Sequence, residues 1–210
     1  MSDNKNNVDK NIFADEKMAE IWFEKNWKKV VAIVIGAIVV GMAVFASIYL
    51  KKQNDSNMMK AFAAAETAEL AALLEKSPNA AGSASARIRL ADALIEKKDY
   101  AGAKAQFQTI ANDASAAAEL RSRAKLGIAA CDELSGNKKA AAESYMRLSN
   151  DSSVPSRVRD EAAFHAGRLF VAVADLRGRE ILKKLADSPM DSAMANPWKA
   201  HAAALLKDLK

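Results

Sequence analysis

Apolar and polar residues alternate along most of this chain at helical spacing, and the pattern is interrupted once. From Val30 to Leu50 there is no charged residue. A helix of that run spans about 31 Å, close to the ~30 Å hydrocarbon thickness of a bilayer. Gly36 and Gly41 lie inside it and are tolerated in membrane-spanning helices. Trp22, Trp27 and Tyr49 stand at its two ends, where amphipathic rings favour the headgroup zone. Lys28, Lys29, Lys51 and Lys52 close both ends and can snorkel outward. The pattern predicts a leader over 1–29 and a transmembrane helix over 30–50. A buried core helix and a cleaved export signal compete with that reading. Against the signal, the apolar run is long, the leader balances its acids and bases, and Val44-Phe45-Ala46 is a poor cut site.

In the leader, Met18, Ile21, Trp22 and Lys25 share one helical face, which suits a short helix lying at the headgroups. A solvated tail with a few aromatic residues reads equally well. Lys10, Lys17, Lys25, Lys28 and Lys29 precede the span, and Lys51, Lys52 and Lys60 follow it. That excess predicts a cytoplasmic N-terminus and a domain on the far side of the membrane.

Beyond the span the helical spacing resumes. Ser56–Lys76 reads as one long helix with Met59, Phe62, Leu70, Leu73 and Leu74 inward, following the span with a break near Asn54-Asp55, and the sequence leaves open whether the two are continuous. Together with a linker it occupies 51–82. A repeated pattern then fills 83–210. In "ARIRLADALIEKKDYAGAKAQFQTIA", Leu90-Ala91 and Leu94 lead to a turn at Lys98-Asp99-Tyr100, followed by Ala103, Phe107 and Ile110. Ala91 and Ala103 are small enough for two helices to approach closely, Phe107 fills the gap toward the next unit, and Asp99 can cap the second helix. In "KLGIAACDELSGNKKAAAESYMRL", Leu126-Gly127 stand for Leu90-Ala91, Gly136-Asn137 form the turn, Ala141 is the close-approach residue, and Tyr145 and Leu148 follow. Ala91 and Gly127 are 127 − 91 = 36 residues apart. A third unit has Ala166-Gly167, Phe170 and a turn at Asp175-Leu176, with a spacing of 167 − 127 = 40. Its second helix departs from the pattern, because Arg179 occupies the expected small position. Asn196-Pro197 start a last helix that covers the open end.

This small–turn–small–aromatic order resembles the tetratricopeptide helix–turn–helix unit. The expected fold is all-α: a transmembrane helix followed by a tetratricopeptide-like solenoid with a closing helix. An aromatic leader, "FEKNWKKVVAIVIG" entering one span, an Ala-rich helix, degenerate repeats and a final "NPWKAHAAALLKDL" resemble a family of single-span bacterial inner-membrane proteins with a periplasmic domain of this kind. The ancillary subunit of the Sec translocon belongs to that family. The resemblance implies partners among the translocon, periplasmic chaperones and exported polypeptides, and it implies no catalytic residues.

Composition agrees with a helical domain, rich in Ala, Leu, Lys, Arg and Glu. The leader is neutral, so the net charge of +5 lies C-terminal of the span. That is far from the dense basic stripe of a nucleic-acid binder. The single Cys131 excludes an internal disulfide and reads as a small core filler. No phosphate loop, nucleophile elbow, His-Glu-x-x-His or Cys-x-x-Cys motif occurs. His165 and His201 read as partly exposed helix residues, and the adjacent acids Asp132-Glu133 and Asp160-Glu161 diverge on a helix. No cofactor or metal is expected.

One recurrence remains. Arg87/Arg89, Arg121/Arg123 and Arg157/Arg159 each fall near the start of a first helix. They form either a basic rim suited to acidic peptide segments or anionic headgroups, or arginines that cover apolar neighbours. The functional expectation is a non-enzymatic, membrane-anchored interaction module at the translocon. A scaffold of an envelope or division complex is the alternative.

Overall fold

The computed structural model describes residues 3–189 and 196–209. Residues 1, 2 and 210, the outer ends of the expected leader and repeat domain, lie outside them. Among the described residues every regular element is an α-helix: α1 (Asp3–Ala64), α2 (Thr67–Lys76), α3 (Ser83–Glu96), α4 (Tyr100–Asn112), α5 (Ala118–Leu134), α6 (Lys138–Asn150), α7 (Ser156–Ala172), α8 (Arg177–Ala186) and α9 (Pro197–Asp208). The chain divides into two units, Met1–Asn54 and Asp55–Lys210.

The first unit is helical, and it holds the one helix among the described residues long and apolar enough to cross a membrane. Residues 31–50 are all exposed, and none of the most apolar window is buried by the protein. A core helix would need protein cover over this run. Trp22, Trp27, Lys28 and Lys29 flank the run before it, and Tyr49, Lys51 and Lys52 after it, all exposed. The ammonium of Lys28 sits 5.9 Å from the centre of the Trp27 ring.

The second unit corrects the expected start of the domain. Helical bonding carries on through Asn54-Asp55 and first fails at Ala65-Glu66, so Ser56–Lys76 is two helices. No Gly or Pro marks the break. A side chain from α3 makes it: Arg89 donates to the carbonyls of Phe62 (2.5 Å), Ala63 (3.3 Å) and Ala65 (3.1 Å). Helix ends leave such carbonyls without partners, and a guanidinium fork satisfies several at once. The bend lets Phe62 and Ala65 pack with Leu70, Leu74, Ala86 and Leu90 in one core. Met59, expected inward, is half exposed.

Three helical hairpins follow: α3/α4, α5/α6 and α7/α8. Each helix packs on the next, and the first helices α3, α5 and α7 also touch in succession, forming one side of the stack. The hairpins share a period that the sequence reading missed. The turn residues Lys98, Gly136 and Ala174 all adopt positive φ, at intervals of 136 − 98 = 38 and 174 − 136 = 38. On that register Ala91, Ala129 and Gly167 are the buried small residues of the first helices. Ala129, rather than Gly127, is therefore the counterpart of Ala91. The connections repeat too: Ser115 donates its N–H and hydroxyl to Asp113 Oδ1, and Ser153 does the same to Asp151, 38 residues on.

Gly127 instead serves the joint between hairpins. A β-carbon built there would lie 2.7 Å from three carbons of the Phe107 ring. Phe107 thus fills the space between α4 and α5, and burying such a ring is worth roughly 1.5–3 kcal/mol. One hairpin later the same joint is made by Tyr145 against His165.

The third hairpin corrects a second expectation. Gly178, not Arg179, is the close-approach residue. It is buried, and a β-carbon there would meet the Val171 nitrogen at 2.6 Å and the Gly167 oxygen at 2.7 Å. From the positive-φ residue to the small residue there are five steps in the first two hairpins, ending at Ala103 and Ala141, and four in the third. Once that missing residue is allowed for, Leu182 and Leu185 take the places of Phe107 and Ile110. Helix α9 covers their outer side with Ala202, flanked by Trp198, Leu205, Leu206 and Leu209. Asn196 caps α9 by accepting from the Trp198 N–H.

Candidate functional site

A cleft of about 380 Å³ opens between α5 and α7, on the side formed by the first helices. Leu126, Gly127, Ala130 and Leu134 of α5 give it an apolar wall at i, i+4 and i+8 spacing. Glu161, His165 and Arg168 of α7 give the polar wall, and Tyr145 of α6 is its floor.

The polar wall is a fixed network. Arg168 donates Nη1 and Nη2 to the two carboxylate oxygens of Glu133, at 2.7 and 2.8 Å. This two-pronged pairing ties α7 to α5 and sets the direction of both side chains. The Nε of Arg168 donates to His165 Nδ1 at 3.0 Å, so the imidazole carries its proton on Nε2. Tyr145 stacks on one side of the imidazole at 5.1 Å, and Trp198 of α9 leans on it at 5.3 Å. Burial, and then the charge of Arg168, push the His165 pKa down to about 4. The ring is neutral at pH 7, and its Nδ1 is occupied. Burial also raises the Tyr145 phenol.

Two further charged groups stand at the rim. Glu161 is held above the usual carboxylate range by burial, against the pull of Arg123 and Arg157. It accepts no hydrogen bond among the described residues. Arg123 is exposed, with only a loose contact to Glu119 at 3.8 Å. The cleft therefore offers an apolar strip beside two charged side chains, Arg123 and Glu161. Among the described residues no group of three or more His, Cys, Asp or Glu is placed to hold a metal ion. Cys131 is buried, and burial pushes its thiol up to about 11, so no thiolate forms at neutral pH.

The expected partner-binding arginines do not form one rim. Arg89 closes the end of α1 as described. Arg87 donates to Gln106 Oε1 at 2.9 Å and to the Pro78 carbonyl at 3.4 Å. Arg121 donates to the carbonyls of Ala114 and Ala116. These three are spent on hydrogen bonds within the protein, to backbone carbonyls and to the Gln106 side chain. Arg123 alone of the four reaches the cleft. The 34-residue step from Arg87 to Arg121 is out of phase with the 38-residue structural period, so the recurrence in sequence puts non-equivalent sites side by side. Arg121 and Arg159 do keep the period, being 159 − 121 = 38 apart.

The repeat residues Leu90, Ala91, Ala103, Phe107, Ala141, Tyr145, Gly167 and Phe170 are all buried, whereas Leu126 and Gly127 line the cleft half-buried. Sequence reasoning missed the Glu133–Arg168 pair and the seat of His165. Their only signal was spacing: His165 lies 38 residues after Gly127, the residue that receives Phe107. Comparison with protein-family models, with curated proteins and with solved structures yields no match.

Proposed function

We propose that this chain is a membrane-anchored, non-enzymatic interaction protein whose stacked hairpins form a tetratricopeptide-like solenoid. Helix α1 is retained in an inner membrane with its N-terminus in the cytoplasm, and the solenoid works on the periplasmic side. The α5/α7 cleft is the observation that carries this reading. Its apolar strip and the two charges at its rim suit an extended segment of another protein, and its His, Tyr and Arg side chains are already committed to one another. Tethering in the membrane plane raises the effective concentration of neighbouring proteins, so weak contacts suffice. By its resemblance to the single-span family that includes the ancillary Sec translocon subunit, the partners are the translocon, periplasmic chaperones and polypeptides emerging from the channel.

The test is photo-crosslinking in living cells from a photoreactive residue at Ala130, combined with protease treatment of intact spheroplasts. Crosslinks to the channel and to exported chains, with loss of a C-terminal tag to external protease, are expected. A single stoichiometric envelope partner would replace the translocon reading with the scaffold one. A C-terminal tag protected until lysis would sink the periplasmic assignment.

A further inference from the structure

The three hairpin turns lie along one edge of the stack, because successive hairpins align. Two contacts fix this. Lys104, in the first turns of α4, pairs with Asp132 near the end of α5 at 2.5 Å. Arg177, at the start of α8, pairs with Glu143 of α6 at 2.7 Å. The turns Lys97–Asp99, Ser135–Asn137 and Val173–Leu176 are thus neighbours in order.

This edge has an unusual surface for a water-soluble domain. Leu176 is 87% exposed, Leu134 47% and Val173 37%. They are the only large hydrophobic side chains among the described residues of α2 to α9 and their connections that are exposed to this degree. Around them stand Lys97, Lys98, Lys138 and Lys139, all exposed, and none of the four is ion-paired among the described residues. Of the acids at the same edge, Glu96 is exposed beside Lys97, and the others are spent. Asp99 accepts from the Gly102 N–H, Asp132 pairs with Lys104, Glu133 with Arg168 and Asp175 with Arg177. At the opposite ends of the helices the connections carry Asp113 and Asp151. The edge therefore combines free ammonium groups with protruding aliphatic side chains.

We propose that this turn edge docks on an anionic lipid surface, with Leu176 and Val173 entering the headgroup–acyl boundary and the four lysines pairing with lipid phosphates. The proposal rests on the reading of α1 as a membrane anchor, which keeps a bilayer within reach of the second unit at all times. Exposed aliphatic side chains ringed by lysines are what an interfacial contact requires: the carbon stems of the lysines lie along the apolar zone while their charges meet the phosphates. An acidic protein surface would satisfy the lysines but would leave Leu176 without an apolar seat of its own.

The experiment uses the full chain carrying Cys131→Ala, reconstituted in nanodiscs of phosphatidylcholine alone or with phosphatidylglycerol. A spin label is attached through Leu176→Cys in one sample and through Val40→Cys in another. Accessibility to oxygen, which concentrates in lipid, is compared with accessibility to a water-soluble nickel complex. The label at 176 is expected in lipid in the anionic discs. It is expected in water in the neutral discs, in about 0.5 M salt, where the screening length falls to about 4 Å, and after Lys97, Lys98, Lys138 and Lys139 are all changed to Gln. A label at 176 that stays in water in anionic discs, while the label at 40 is in lipid, overturns the docking and leaves the anchor standing. A label at 176 shielded from both agents means cover by protein, and also overturns it. A label at 40 found in water would instead remove the anchor on which the proposal rests.

Discussion

The imidazole of His165 lies stacked on the ring of Tyr145, with centroids 5.1 Å apart and planes inclined by 26°. The contact joins two hairpins, and one of its members titrates near neutrality when free. Folding lowers the His165 pKa from 6.5 to about 4, so between those values the unfolded chain binds the extra proton. The contribution is complete above pH 6.5 and drains away as pH falls toward 4. After a discount for the solvent that still reaches the ring, it amounts to roughly 2 kcal/mol. Glu161, whose pKa is raised, acts with the opposite sign just above its unfolded value. The comparison to make is therefore between wild type and His165→Phe. Urea midpoints measured at pH 7.5, 6 and 4.5 should fall less steeply in the variant. Equal slopes would mean that His165 is not seated as described.

The register of the third hairpin makes a sharp contrast between neighbours. Gly178→Ala would drive a methyl group into the backbone of Gly167 and Val171, which cannot step aside as a side chain can. A loss of about 3 kcal/mol is expected, in the upper range for overpacking. Arg179→Ala, one residue on and exposed, removes a single surface hydrogen bond to the Leu209 carbonyl and should cost no more than about 1 kcal/mol. Thermal melts of the two variants decide the matter, and the reverse order would restore the register read from sequence.

At the first joint, Gly127→Val should destabilise by about 2 kcal/mol, because its β-carbon meets the Phe107 ring and only part of the strain can relax. Pairing it with Phe107→Leu should return part of the loss. A double-mutant cycle measures the coupling, and strict additivity would show that the two residues do not touch.

Arg89 is expected to govern the bend between α1 and α2. With three carbonyls left unserved in Arg89→Met, the junction at Ala65-Glu66 should open locally and be cut faster by a protease specific for glutamate. The cost to stability should be about 1.5–3 kcal/mol, the range for hydrogen bonds to charged groups. Arg123→Met, with its exposed 3.8 Å contact, should cost no more than ~0.5 kcal/mol.

Cys131 supplies an independent clock for opening of the stack. Its thiol is buried in α5 and held near 11, so thiol reagents at pH 7.5 should label it only through unfolding. The labelling rate should therefore rise with urea in step with the loss of helical signal. Prompt labelling in buffer would contradict its burial.

What could be read from the sequence depended on where the information sat. The apolar span needed only a run of residues, and the first hairpin only its own local pattern. The second register failed because Leu126-Gly127 copies the look of Leu90-Ala91 while serving a different contact, the seat of Phe107. The true period is written in the turns, where Gly136 advertises a positive φ but Lys98 and Ala174 give no sign of it. The break at Ala65-Glu66 is imposed by a residue 27 positions away from Phe62, beyond the reach of any local rule. The cleft was illegible for the same reason: Glu133 and Arg168 are 35 residues apart and meet only once the hairpins have stacked.

The shorter approach to the third hairpin's close contact has a consequence for how the chain closes. Gly178, Leu182 and Leu185 keep the mutual spacing of Ala103, Phe107 and Ile110, so the missing residue is absorbed before the packing stripe begins and the outer face of α8 stays in phase with the other second helices. That face is apolar and needs a cover, and a single helix supplies it: α9 lays Ala202 against Leu182 and Leu185 with Trp198 and Leu205 beside it, so the stack closes on one helix instead of a hairpin.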